Sequence, residues 1–172
     1  MNVYGVVGWK NAGKTTLVER LVAELAGRGL SVSTVKHAHH AFDVDSPGKD
    51  SWRHRAAGAT EVMIGSAARW ALMHELRDAA EPSLDELLGR LSPVDLVIVE
   101  GFKRERHAKI EAHRAATGAP LIAPDDPTVR AVATNDPLTL DRPILPLDDA
   151  AAIADFILAD LGLAEAPLRA DG

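Results

Sequence analysis

Cysteine is absent from this 172-residue chain, and aromatic residues make up only 4% of it. The lack of cysteine excludes disulfides, thiolate zinc sites, iron–sulfur clusters and a cysteine nucleophile. So few aromatic rings cannot form a platform on which nucleic-acid bases stack. Lysine and arginine number 19 against 25 aspartates and glutamates, which gives a net charge of −6. This balance does not favour a large phosphate-neutralising surface, so we expect no nucleic-acid partner.

Long apolar runs are also missing from the sequence. The N-terminus lacks a basic segment followed by a long apolar stretch, so it does not resemble a signal peptide. No apolar run approaches the length that spans a bilayer. We therefore expect a cytoplasmic protein with no membrane partner. The length predicts a single nucleotide-binding domain over residues 1–162, followed by a flexible C-terminal tail over residues 163–172.

The first 35 residues predict a strand, a helix and a second strand. Residues 3–7 form a β-branched apolar run, which is typical of a strand buried on both faces. Residues 15–28 carry apolar side chains at helical spacing, and Gly29 provides a stop signal. Residues 31–35 predict the next strand. Because a strand–helix–strand unit implies a right-handed crossover, the sheet should be parallel.

The rest of the chain predicts further strands and helices. The helices are expected over residues 51–57, over 83–91, and in a last segment that Asp148 or Asp149 caps and that ends near residue 161. The strands are expected over residues 60–65 and 68–74, which form a hairpin, and over 96–99, 109–113, 121–123 and 129–134. The predicted fold class is therefore α/β, with a mostly parallel central sheet between helices and a small antiparallel hairpin.

A phosphate-binding loop lies between the first strand and the first helix. The segment from Gly8 to Thr15 matches G-x-x-x-x-G-K-[ST], the Walker A pattern, at every fixed position. Glycine lets successive backbone N–H groups point at a phosphate, and the helix N-terminus adds a favourable dipole. Lys14 would reach the β- and γ-phosphates, and the Thr15 hydroxyl would bind Mg²⁺. This loop predicts a P-loop nucleotide-binding protein.

An acidic residue follows the strand over residues 96–99. Glu100 occupies the end of this strand, where a carboxylate can bind Mg²⁺ or its water ligands. The alternative is a strand-end carboxylate that water or backbone satisfies. The independent P-loop favours the magnesium interpretation.

A loop rich in histidine and aspartate follows the second strand. Three interpretations remain open for residues 36–50. The loop could sense the γ-phosphate and supply a carboxylate, Asp45 or Asp50, to Mg²⁺ or to the attacking water. It could instead hold a transition metal through His37, His39 and His40. It could also be a solvated loop in which Asp50 caps the next helix.

Several segments, in this order, resemble one protein family. They are the P-loop with Asn11, the segment 36–51 with Lys-His-x-His-His and Asp-x-x-Gly-Lys-Asp-Ser, the Arg55-x-x-Gly-Ala that follows, and Val-Glu-Gly-Phe-Lys over residues 99–103. Together they resemble the MobB family, the accessory GTP-binding proteins of molybdopterin-guanine dinucleotide biosynthesis. The resemblance covers roughly residues 2–160.

The resemblance implies a fold, a cofactor and partners. The fold would be a P-loop NTPase of the SIMIBI type, and the protein would be a homodimer. It would bind GTP with Mg²⁺ and hydrolyse it slowly at most. It would assist a guanylyltransferase that attaches GMP to the molybdenum-bound pterin. The basic groups near Arg53 and Lys103 would offer that anionic pterin a binding surface.

The resemblance also implies site residues. Phosphate would be held by Gly8, Asn11, Ala12, Gly13, Lys14, Thr15 and Thr16. Thr15, Asp50 and Glu100 would bind Mg²⁺, and Lys14 and Asp50 would take part in hydrolysis.

Guanine recognition has no standard Asn-Lys-x-Asp motif in this sequence. The nearest substitute is Asn135-Asp136, which precedes Pro137 at the end of a late strand. Either residue could read the base, and the alternative is an ordinary turn before proline.

Three other functions stay open at this point. One is a small-molecule kinase or ligase that uses ATP. Another is a nickel-chaperone GTPase that uses the histidines 37, 39 and 40. The third is a scaffold that binds nucleotide only for stability.

Overall fold

The computed structural model describes residues 1–38 and 42–163. It has two compact units, one formed by Met1–His37 with the chain from Leu84 onward, and the other by Ala38–Ser83. No helix in these described ranges is long and apolar enough to cross a membrane.

The first unit contains a six-stranded sheet in the order β2-β5-β1-β6-β7-β8, and every pair in it is parallel. Its strands are β1 (Asn2–Val7), β2 (Val32–Lys36), β5 (Leu96–Glu100), β6 (Lys109–Ala112), β7 (Val129–Ala133) and β8 (Ile144–Leu145). Its helices are α1 (Lys14–Gly27), α3 (Leu84–Leu88) and α4 (Ala150–Asp160).

Alternation along the central strands directs apolar side chains to both faces of the sheet. Tyr4 and Val6 of β1 pack with α1 and α4 on one face, in a cluster that includes Leu21 and Ile157. Val97 and Val99 of β5 pack with α3 on the other face. Because both faces of the sheet are covered, β1 and β5 are apolar over most of their length, as strands of a parallel sheet are. The predicted α/β class with helices flanking a parallel sheet is confirmed.

The second unit is built from a short helix and a hairpin. Helix α2 (Asp50–Ala56) precedes β3 (Glu61–Gly65) and β4 (Trp70–His74), which pair in antiparallel fashion. The hairpin predicted from the sequence is thus present. Its strands end where expected and begin one and two residues later than expected.

In the C-terminal half, one predicted strand is absent and one strand that the sequence did not predict is present. Residues 121–123 are not a strand, because a 3₁₀ turn at Ala123–Asp125 begins there with Pro124 and the carboxylate of Glu111 binds the turn's amides. The short strand β8 was not predicted. The last helix is capped by Asp149, whose side chain accepts a hydrogen bond from the Ala152 amide.

Candidate functional site

The P-loop winds between β1 and α1 through residues with positive φ. These are Gly8 (φ 147°), Asn11 (φ 66°) and Gly13 (φ 96°). At Gly8 the loop also lies against the end of β6, since a Cβ there would be 2.4 Å from the carbonyl oxygen of Ala112. A side chain at position 8 would therefore collide with backbone. The first glycine of the motif is required both by its dihedral angle and by this close approach.

The start of α1 is suited to bind an anion. Gly13 is the N-cap, and among the described residues no side chain caps this helix. The first-turn amides, which include those of Thr15 and Thr16, have no carbonyl partner within the helix. Together with the helix dipole they favour a negative charge at this end. The Arg114 guanidinium lies beside Gly13, 3.3 Å (Nε) from where a Cβ would be, and adds a cation.

Lys14 folds back over the loop that carries it. Its amine donates to the carbonyl oxygen of Trp9 at 2.8 Å. The Trp9 ring is held by its indole N–H, which donates to the Pro120 carbonyl at 2.7 Å, and by Lys103, whose amine is 3.9 Å from the ring centroid. Burial lowers the pKa of Lys14, the Glu100 carboxylate opposes this, and Lys103 and Lys36 lower it further. Positive charge therefore accumulates around the P-loop.

Glu100 lies opposite the first turn of α1. Its Oε1 accepts a hydrogen bond from the Thr15 hydroxyl at 2.9 Å, and its Oε2 lies 3.4 Å from the Lys36 amine. The carboxylate is largely buried, and the side chains of Thr15 and Lys36 contact it. The structure thus brings Lys14, Thr15 and Glu100 together. A hydroxyl and a carboxylate side by side are hard oxygen donors of the kind that Mg²⁺ binds.

The aspartates of the loop before α2 belong to the second unit. Asp50 is the first residue of α2. Asp45 accepts hydrogen bonds from the Ser46 amide and the Ser51 hydroxyl, both at 2.9 Å, so it organises the turn that leads into this helix.

Arg55 forms ion pairs with three acidic residues of this unit. Its guanidinium contacts Asp43 at 2.8 Å, Glu75 at 2.7 Å and Asp45 at 3.5 Å. The hydrogen bond from Arg55 is the main cause that lowers the pKa of Asp43. Much of the predicted acidic loop is thus neutralised within its own unit.

His37 contacts the turn that follows β5. Its ring centroid is 4.8 Å from that of Phe102, and its amide donates to the Glu100 carbonyl at 2.9 Å. His39 and His40 lie outside the described residues. Within residues 1–38 and 42–163, no three or more His, Cys, Asp or Glu residues form a group that could hold a metal ion.

The candidate guanine readers connect β7 to the start of α4. The Asn135 side-chain oxygen accepts from the Leu147 amide at 2.9 Å, and its nitrogen donates to Asp148 at 2.5 Å. This hydrogen bond, followed by one from Arg20, lowers the pKa of Asp148. Asp136 accepts from the Ala115 amide at 2.6 Å. Both residues therefore order the loops around the strand end, which agrees with the turn interpretation.

Sequence reasoning did not predict the burial of two charged residues on β6, Glu111 and Lys109, or the partial burial of His107 just before this strand. Glu111 on β6 is fully buried, and its carboxylate accepts hydrogen bonds from the Ile122 and Ala123 amides. Lys109, also fully buried, donates to Thr128 and to Asp126. His107 packs against Gly5 of β1. One feature of the sequence could have indicated this burial: Lys109 and Glu111 alternate with apolar residues within one short strand.

A family model described as "Molybdopterin guanine dinucleotide synthesis protein B", or MobB, matches residues 3–135. Among curated relatives, the molybdopterin-guanine dinucleotide biosynthesis adapter protein of Haemophilus influenzae is 45% identical over 155 residues, which is 89% of this chain and 85% of the relative. The adapter protein of the same description from Escherichia coli is 44% identical over 153 residues, which is 87% of each chain.

Solved structures agree with the sequence comparisons. A MobB homologue from Bacillus stearothermophilus aligns with a TM-score of 0.66 at 29% identity, covering 94% of this chain and 99% of the other. Bacillus subtilis MobB aligns with a TM-score of 0.72 at 25% identity, covering 92% and 97%. These matches confirm the resemblance read from the motifs, and the chain belongs to the MobB family.

Proposed function

We propose that this protein binds GTP with Mg²⁺ and acts as an adapter in the synthesis of molybdopterin guanine dinucleotide. The observation that carries the nucleotide proposal is the meeting of Lys14, Thr15 and Glu100 at the start of α1. The names of the relatives support the pathway and the adapter role.

Magnesium would be held by Thr15 and Glu100, whose oxygens already lie 2.9 Å apart. When bound, Mg²⁺ neutralises charge on the β- and γ-phosphates. The carboxylate of Asp50 is proposed as a further acidic partner on the family resemblance.

The chain's own groups would bind and orient the triphosphate. The loop amides from Gly8 to Gly13 and the first turn of α1 hold the phosphates, as does Thr16. Lys14 exchanges the Trp9 carbonyl for phosphate oxygens and stabilises charge on the transferring phosphoryl group. Hydrolysis would be slow at most, which suits a conformational switch better than a metabolic catalyst.

Base recognition is proposed at the end of β7. A carboxylate such as Asp136 can accept from the N1–H and exocyclic amine of guanine, which distinguishes guanine from adenine. Asn135 would hold this base-binding end of β7 in place, because its side chain links the end of the strand to Leu147 and Asp148.

The partner would be the guanylyltransferase that joins GMP to the pterin, and the adapter would work in the cytoplasm as a homodimer.

The exposed face of the hairpin supports the dimer. Met63 pairs with Leu72, and Gly65 pairs with Trp70, so these side chains share one face. Met63 and Trp70 are each 66% exposed and Leu72 is 40% exposed. A two-stranded sheet with such an apolar face needs cover, which a second copy would provide.

Calorimetric titration with GTP and with ATP, each with Mg²⁺, tests the nucleotide proposal. We expect a preference for GTP that Lys14→Ala abolishes, while its thermal unfolding without nucleotide stays close to that of the parent. A preference for ATP would overturn the guanine assignment and favour a kinase or ligase.

Light scattering tests the dimer, which Met63→Lys should convert to single chains.

A further inference from the structure

Lys36 ends β2 beside Glu100. The two residues are register partners in the parallel pair of β2 and β5, and the next amide, that of His37, donates to the Glu100 carbonyl at 2.9 Å. The backbone of Lys36 is therefore fixed. Its side chain is 57% exposed, and the amine reaches to 3.4 Å from Glu100 Oε2. Only the exposed side chain is free to take a second position.

The charges around this carboxylate do not balance. Lys36 and Lys103 both act on Lys14, the Glu100 carboxylate opposes them there, and the Glu111 carboxylate acts on Lys103. Arg114 beside Gly13 is a fourth cation. Among the described residues, four cations therefore face two carboxylates, which leaves an excess of about two positive charges. A magnesium–nucleoside triphosphate complex carries about two negative charges and would neutralise this excess.

The order of the strands determines which way a bound nucleotide would run across the edge of the sheet. The P-loop follows β1, the base candidates lie at the end of β7 on one side of β1, and Glu100 and Lys36 lie at the ends of β5 and β2 on the other side. A nucleotide whose base lies near Asn135 therefore points its terminal phosphate towards Lys36.

We propose that Lys36 distinguishes a nucleoside triphosphate from a diphosphate by exchanging its ion pair with Glu100 for a contact with the terminal phosphate. This inference rests on the proposed nucleotide site. Glu100 and Thr15 would hold the divalent cation, and its charge would then balance the carboxylate in place of the Lys36 ammonium. The freed amine then binds the γ-phosphate when that group is present. When a diphosphate is bound, the Lys36 amine has no γ-phosphate to contact. The amine and the divalent cation then compete for the Glu100 carboxylate.

Lys36→Met tests the exchange, because it removes the charge and keeps a side chain of similar length. Calorimetry with GTP and with GDP, each at several Mg²⁺ concentrations, gives the readout. We expect GTP affinity to fall about tenfold to a hundredfold, the range for losing a charge-assisted contact. GDP affinity should change by less than about threefold, and the GDP complex should need less Mg²⁺ than in the parent.

Two variants serve as controls. Lys36→Arg should retain most of the preference for GTP over GDP, because it keeps the charge. Arg90→Met removes an exposed cation after α3 and should leave both affinities unchanged. An equal loss of GTP and GDP affinity in Lys36→Met, or no loss, would overturn the role of Lys36.

The two proposals fail in different ways. A parent protein that binds neither nucleotide refutes the nucleotide site and the role of Lys36 together. A parent that prefers ATP refutes only the guanine assignment, and ATP and ADP then replace GTP and GDP in the same comparison. A parent that binds GTP while Lys36→Met binds it equally well refutes the role of Lys36 alone.

Discussion

His107 makes the stability of the first unit depend on pH. Its ring packs on β1, where a Cβ at Gly5 would lie 2.5 Å from Nε2, and within the described chain neither ring nitrogen has a hydrogen-bond partner. Burial, followed by the nearby Lys109 ammonium, lowers the pKa of His107 from 6.5 to about 4, and Asp126 opposes the shift. The native structure therefore disfavours the protonated ring.

The sign and size of the effect follow from proton linkage. Well above pH 6.5 the ring is neutral in both the native and the unfolded state, so protonation of His107 costs no stability. As the pH falls from 6.5 towards 4, the unfolded chain takes up a proton that the native state does not, and stability is lost. Between pH 7 and pH 5 these two pKa values give an upper limit of about 1.8 kcal/mol. Partial solvent access around the ring reduces the expected loss to about 1 kcal/mol.

Urea unfolding at pH 7 and at pH 5 measures this loss. His107→Asn should be less stable at pH 7, because the ring no longer packs on Gly5, but its stability should fall less between the two pH values. The exposed His54, changed to Asn, serves as the control and should keep the pH dependence of the parent. If His107→Asn loses as much stability between pH 7 and pH 5 as the parent does, the burial argument is refuted.

Three further predictions concern the P-loop, the buried carboxylate of Glu111 and the second unit. Gly8→Ala should abolish nucleotide binding by calorimetry and lower the melting temperature, since its Cβ would meet the Ala112 carbonyl oxygen at 2.4 Å. Glu111→Gln should cost about 2–4 kcal/mol in urea unfolding, because an amide nitrogen would face buried backbone N–H groups; a loss below 0.5 kcal/mol would contradict it. Arg55→Met should speed hydrogen exchange in residues 42–76 while sheet amides in the first unit keep their protection.

The start of the chain could be predicted closely because local signals and tertiary structure agree there. An apolar β-branched run, a glycine-rich loop and a helical repeat all indicate one arrangement, and the structure has β1 and α1 within one residue of the expected bounds. The pairing of Thr15 with Glu100 followed from the same logic, since parallel strands bring their carboxyl ends to one edge.

Other elements depend on contacts between residues distant in sequence. The apolar residues 121–123 look like a strand, yet their amides bind Glu111 from another strand and form a turn. Strand β8 has only two residues, Ile144 and Leu145, between Pro143 and Pro146, so its pattern is too short to detect. The register that sets Lys36 beside Glu100 is likewise invisible in the sequence. The single-domain and base-reader assignments stay predictions.

The three tryptophans provide each unit with its own spectroscopic probe. Trp9 belongs to the P-loop, with its indole clamped by the Pro120 carbonyl and the Lys103 amine, whereas Trp52 and Trp70 belong to the second unit. Indole emission responds to nearby charge, so phosphate binding that draws Lys103 away from the ring should alter the Trp9 signal. In Trp9→Phe the remaining emission comes from the second unit alone. Nucleotide binding and hairpin association can thus be followed separately without attaching a dye.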